Sequence, residues 1–254
     1  MSIKHITLYA SLLWLISCSH PSLPANAGVK PPSHYVWNEL LHKYVTPDGK
    51  VNYKGFIQDS VKLNLYLDSL SQHPPDAGSW SKEEQLAYWI NAYNAFTVKI
   101  IISHYPLKSI TDIRPRLYIP VVNTVWHIKF FKIGGTDFNL DRIEHGILRK
   151  IFSEPRIHFA IVCASYSCPP LRNEAFTAGK LDKQLDDQAR RFINDPKRNT
   201  ISVDKIQVSQ IFNWFSGDFT KGKTLIHYLN TYSTIQINDK ATIKYMEYNW
   251  ALNE

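Results

Sequence analysis

The chain has 254 residues, 44% of them apolar and 13% aromatic, with a formal net charge of +7. That apolar content excludes a disordered or low-complexity chain and is enough for one sizeable core. The basic residues are scattered rather than striped, so nucleic acid is not an expected partner; a mild preference for anionic surfaces is the most the charge implies.

The first residues carry a targeting pattern. Lys4 and His5 precede a mostly apolar run, Ile6 to Ile16, too short to span a bilayer and fitting the apolar region of a secretory signal. The run ends in Leu15-Ile16-Ser17-Cys18, which resembles the lipobox of bacterial lipoproteins. The resemblance implies a signal peptide over 1–17, acylation of Cys18 and attachment to the cell envelope through that lipid. Ser19 follows Cys18, where there is no Asp; by the same resemblance this implies the outer membrane, facing the periplasm. Residues 18–33, rich in Pro, Ser and Ala, read as a disordered tether. No later run is long and apolar enough to cross a membrane.

From residue 34 onward the pattern is globular. Helical spacing runs through YVWNELLHKYV, a Pro-Asp-Gly turn sits between two possible strand ends in VTPDGKVNY, and Asp59 to Ser71 reads as a helix. The longest helical signal begins after Ser81, with Glu84 completing a capping box, and stops at Pro106. Because it is apolar nearly all round, it should be a central, buried helix. Two strands are expected around Gly134-Gly135, a helix over Leu140–Phe152, and a strand over Ile157–Cys163. An amphipathic helix follows Thr177 as N-cap, then a hairpin across Asp204-Lys205, helical turns around Phe212–Phe219, a helix near Leu225 and a closing strand at Thr242. Helices come first in bulk and strands later. The expected class is α+β: one domain over 34–254, with a central buried helix, surrounding helices and a small, mainly antiparallel sheet.

Several polar residues fall on or at the edge of apolar faces. On a helical wheel Glu144 lies amid Leu140, Ile143, Ile147 and Ile151, so it needs an Arg, a His or backbone N–H groups as partner. His145 lies about 100° round, at the edge of that face. Asn91 and Asn94 lie on the long helix and point first to a structural hydrogen-bond network. Strand alternation places His158 opposite Cys163, as a core histidine bonded to backbone.

Several segments together, LAYWINAYNAFTV, FFKIGGTDFNLDRIEHGILR and RIHFAIVCASYSCPPLRNEAFTAGKLDKQLDDQARRFIND, with WNELLHKYVTPDGKVNY more loosely, resemble the domain-of-unknown-function 547 family. The resemblance runs from about Trp37 to about Phe219 and implies one recognisable domain without assigning it a chemistry.

The chemistry comes from Cys163 and Cys168. They form a disulfide bracing the loop before Pro169-Pro170, or one of them is a nucleophile, or they are half of a metal site. As a thiol-dependent hydrolase or acyltransferase on peptide or amide bonds, the chain would use Cys163 or Cys168 to attack and His145 as base. Glu144, Asn91 or Asn94 would orient the base or stabilise an oxyanion. With the disulfide formed, the chain reads as a non-enzymatic binding module for another envelope component. No metal or other cofactor is expected; the zinc alternative draws on Cys163, Cys168, His145 and His127. Arg142, Arg156 and Arg172 are candidates for binding a carboxylate or for serving Glu144.

Overall fold

A computed structural model describes residues 30–120 and 122–254. The segment expected to be a signal peptide, Cys18, and the expected tether up to residue 29 lie outside the described residues.

The long helix organises the rest. Helix α4 (Lys82–His104) starts where Ser81 caps it: the Glu84 N–H donates to Ser81 Oγ at 3.1 Å and the Ser81 N–H donates to Glu84 Oε2 at 2.7 Å. Residues Leu86 to Val98 are buried without a break, which is why this helix lacks a polar face and must lie at the centre. Helices α2 (Tyr53–Gln58) and α3 (Ser60–Gln72) pack beside it, α1 (Tyr35–Tyr44) packs on those two, and Val45 pairs with Val51 across the expected turn. In that turn Gly49 has φ +84°, and a side chain there would collide with Pro170, just past the second cysteine.

Strands β1 (Phe131–Ile133) and β2 (Thr136–Phe138) form the expected antiparallel pair around Gly134-Gly135. A second sheet has the order β3 (Thr200–Ile201), β4 (Lys205–Val208), β5 (Thr242–Tyr245). β3–β4 is the antiparallel hairpin; β4–β5 is parallel, because α7 (Ile211–Trp214), α8 (Ser216–Phe219) and α9 (Leu225–Asn230) carry the chain over between them. The α+β class with a central buried helix holds.

Three local expectations are corrected. Residues Arg142–Leu148 form a π-helix that runs into the short helix α5 (Arg149–Ile151). Its wider turn brings Leu148 inward with Ile143, while Ile151 is 65% exposed, so the 100° wheel misplaced the end of the buried face. The second correction concerns Ile157–Cys163, which is no strand. Pro155–Phe159 is a 3-10 turn, and irregular chain follows to Cys163. Residues 157–162 are buried on every side, and such a run carries no period that separates a strand from another buried segment. Third, Thr177 caps no helix with its side chain; its N–H donates to Gln184 Oε1, and α6 (Leu181–Ile193) follows a 3-10 turn.

Two apolar clusters result. One surrounds α4; the other gathers Phe159, Phe192, Phe212, Phe219 and Leu229 beneath the second sheet.

Candidate functional site

Where these clusters meet, a cavity of about 350 Å³ opens. That is the size of a small-molecule site. Tyr93 comes from α4, Trp126 and His127 from a 3-10 turn before β1, and Glu144 and His145 from the π-helix. His158, Ile161, Cys163 and Cys168 come from the irregular segment, Trp214 and Phe215 from α7 and its end, and Tyr248 and Trp250 from the C-terminal tail.

The irregular segment is positioned by α4. Asn94 clamps it with both ends of its amide: Nδ2 donates to Ala160 O, and Oδ1 accepts from the Val162 N–H, each at 2.9 Å. Asn91 does the same for the Phe176 peptide. Neither asparagine lines the cavity, and both amides are taken up by backbone groups. Beyond Val162 the chain turns at Ala164, whose φ of +60° is costly for a residue with a Cβ. The C-terminal tail straps this loop: Ser165 pairs with Leu252, the Tyr166 N–H donates to Ala251 O and the Asn253 N–H donates to Ala164 O.

Cys163 and Cys168 are paired sulfur to sulfur, with Cα atoms 6.3 Å apart, inside the range a disulfide spans. Cys168 is buried and Cys163 partly open to the cavity. Three donors surround the Cys168 sulfur: the Cys163 N–H at 3.0 Å, Ser165 Oγ at 3.2 Å and the Tyr248 hydroxyl at 3.4 Å. Burial pushes the Tyr248 phenol up, so it stays protonated and able to donate.

The acid–base groups lie on the other walls. Glu144 is buried, and its partner is neither an Arg nor a His nor backbone: the Tyr93 hydroxyl donates to Oε2 at 3.0 Å. Burial, with the neighbouring Glu144 charge, holds that phenol well above its usual range. His145 is half-exposed; Arg149 donates to its Nδ1 at 2.7 Å, so the ring proton belongs on Nε2, which faces Asp141 at 3.8 Å. His127 accepts the Thr124 N–H on Nδ1 and turns Nε2 to the same carboxylate at 3.7 Å.

His158 differs most from expectation. It lines the cavity with Cys163 and is bonded to no backbone group; Nε2 donates to Asp218 Oδ2 at 2.8 Å, and its ring stacks on Phe215 at 4.0 Å. A carboxylate only accepts, so Nε2 carries the proton and Nδ1 is the basic nitrogen, with no hydrogen-bond partner among the described residues. The His158 hydrogen bond, joined by the Arg149 guanidinium, holds Asp218 well below the usual carboxylate range against the effect of burial. His158 went unrecognised because the strand assignment turned it away, and Asp218 lies sixty positions along the chain.

The three arginines serve elsewhere. Arg156 is held by Glu154, Asp182 and Asp186, and Arg172 by Glu174 and Asp187. Arg142 lies over the Phe138 ring and donates to Asp137 O. None lines the cavity or bonds Glu144. Among the described residues no group of three or more His, Cys, Asp and Glu is arranged to hold a metal ion, which leaves the zinc alternative without a ligand set.

Residues 77–193 match the model of the family described as "Protein of unknown function, DUF547", which supports the resemblance over a shorter stretch than the sequence blocks span. The match includes Tyr93, Glu144, His145, His158 and both paired cysteines; Trp214, Phe215, Asp218, Tyr248 and Trp250 lie beyond it. No curated protein and no solved structure matches the chain.

Proposed function

We propose, from a family match that assigns no chemistry and a cavity that gathers it, that this chain is a lipid-anchored envelope enzyme. It cleaves or transfers an acyl group from a peptide or amide bond, with Cys163 as nucleophile. The observation that carries the reading is the oriented His158–Asp218 pair, which shares a water-accessible cavity with Cys163. A thiol, an imidazole and a carboxylate that fixes the imidazole tautomer are the parts that nucleophilic acyl transfer needs. His158 replaces His145 as the base, because His145 has its Nδ1 occupied by Arg149. The anchor and the envelope location rest on the Ile6–Ile16 run and the box ending at Cys18.

The pairing of Cys163 with Cys168 favours a second reading, a non-enzymatic envelope binding module with a disulfide-braced loop, for as long as the bond persists. One experiment separates the two. The reduced full chain is mixed with p-nitrophenyl acetate, and the acetyl adduct is located by peptide mass. The enzyme reading expects a thioester on Cys163, formed about tenfold or more slowly in His158→Gln. No adduct on Cys163 above that on a denatured control sinks it and leaves the binding module.

A further inference from the structure

The geometry points to a thiol–disulfide exchange site, in which Cys163 is the sulfur attacked by an incoming dithiol reductant and Cys168 is the sulfur that leaves. This goes beyond the acyl-transfer reading and does not depend on it.

Three observations converge. The first is access: Cys163 is the sulfur-bearing residue partly open to the cavity, whereas Cys168 is 2% exposed. An attacking thiolate must approach one sulfur from outside, and the cavity leads to Cys163. Second, the buried sulfur is ringed with donors. The Cys163 N–H reaches Cys168 Sγ alone, at 3.0 Å, while Ser165 Oγ and the Tyr248 hydroxyl sit between the two sulfurs, 3.2 and 3.4 Å from Cys168 and 3.2 and 3.3 Å from Cys163. A disulfide sulfur is a weak acceptor and a thiolate a strong one. With Ser165 donating to the Tyr248 oxygen, the Cys163 N–H and the Tyr248 hydroxyl are the two donors that can strengthen on Cys168 as charge develops there, and the N–H is the one fixed on that sulfur, which is the condition for stabilising a leaving group rather than the resting bond. Arg198, ion-paired with Asp195, fixes the backbone of the same residue by donating its Nε to Cys168 O at 2.6 Å. Third, Ala164 between the cysteines is held at φ +60° by the tail that also supplies Tyr248. The strained turn is what brings the donors and the sulfur together.

The step balances as follows. A reductant thiolate attacks Cys163 Sγ and forms a mixed disulfide there, while the Cys163–Cys168 bond breaks and its electron pair moves to Cys168. The second thiol of the reductant, deprotonated, then attacks the reductant sulfur of the mixed disulfide. It closes the reductant's own disulfide and releases Cys163 as a thiolate. The protein has gained two electrons, the dithiol has lost two, and two protons pass to the cysteines or to water.

The test measures reduction of the oxidised full chain by glutathione and, separately, by reduced thioredoxin as a protein dithiol. An oxidised peptide of residues 160–171 is the reference. Samples are acid-quenched and the mixed disulfide is mapped. The expected results are reduction about tenfold faster than the peptide, glutathione on Cys163, and a loss of about tenfold in Tyr248→Phe, the size of one hydrogen bond to a charged group. Thioredoxin, the dithiol, is expected to be the faster of the two at equal thiol concentration, and a faster reaction with glutathione overturns the dithiol as the partner. A chain no faster than the peptide with either reductant overturns the proposal, as does glutathione on Cys168. The mapped adduct comes from the unmutated chain, so the proposal stays falsifiable even if Tyr248→Phe misfolds.

Discussion

A single hydrogen bond determines what His158 can do. Its ring is 1% exposed, and without Asp218 the Nε2 proton would have no acceptor in an apolar pocket between Phe215 and Phe219. Arg149 would lose its carboxylate at the same time. Removing one partner of a buried pair leaves the other unsatisfied, whereas removing both with apolar replacement is far milder. Asp218→Ala should therefore lower the unfolding free energy by about 2 kcal/mol. The double variant His158→Phe with Asp218→Ala should cost clearly less than the sum of its parts, since Phe keeps the stack on Phe215. Urea unfolding of the four chains closes the cycle, and strict additivity would mean that the bond carries no coupling.

At the scale of elements, what was legible in the sequence was local. Ser81 and Glu84 sit three apart and cap α4 by themselves, and Gly134-Gly135 closes a hairpin between adjacent strands. What was not legible depends on partners distant in sequence. Residues 157–162 have no period because every side is buried, and their path is set by the Asn94 amide some sixty-six positions earlier. The π-turn at Arg142–Leu148 has no signature in composition, yet it moves Ile151 out and Leu148 in. Glu144 was recognisable as a buried carboxylate in need of a partner, but nothing local named Tyr93. Asn94 and Asn91 now make a paired prediction. Each amide satisfies two buried backbone groups, so Asn94→Ala and Asn91→Ala should each cost about 2–4 kcal/mol in urea unfolding. Only Asn94→Ala should also change the glutathione reaction rate at Cys163, because Asn91 holds the Phe176 peptide and not the cysteine segment. Equal effects of both at Cys163 would show that Asn94 has no special role in positioning it.

For the whole molecule, the segments that complete the cavity come from both sides of the chain's midpoint, so site and stability respond to acid together. Two groups among those that set that response are separable by pH. Burial lowers the His34 imidazole from 6.5 to about 4, where its Nδ1 meets the Tyr66 hydroxyl at 2.8 Å. Between those two values the unfolded chain binds a proton that the folded chain refuses, so stability falls as pH drops from about 6.5 to about 4 and the loss then levels off. Asp218 works lower. Its folded value is depressed by His158 and Arg149, so its contribution is complete above the ordinary carboxylate value of about 3.9 and is lost as pH falls below it. Acid should thus weaken the fold in two stages with separate causes. His34→Gln, which keeps an acceptor for the Tyr66 hydroxyl, should flatten the first stage and leave the second. Asp218→Ala should leave the first stage and reduce the second, to which Glu174 also contributes, and it removes the carboxylate that fixes the His158 tautomer. Urea midpoints at pH 7, 5.5, 4 and 3 for the three chains would decide it, and parallel curves throughout would mean that neither group links protonation to folding.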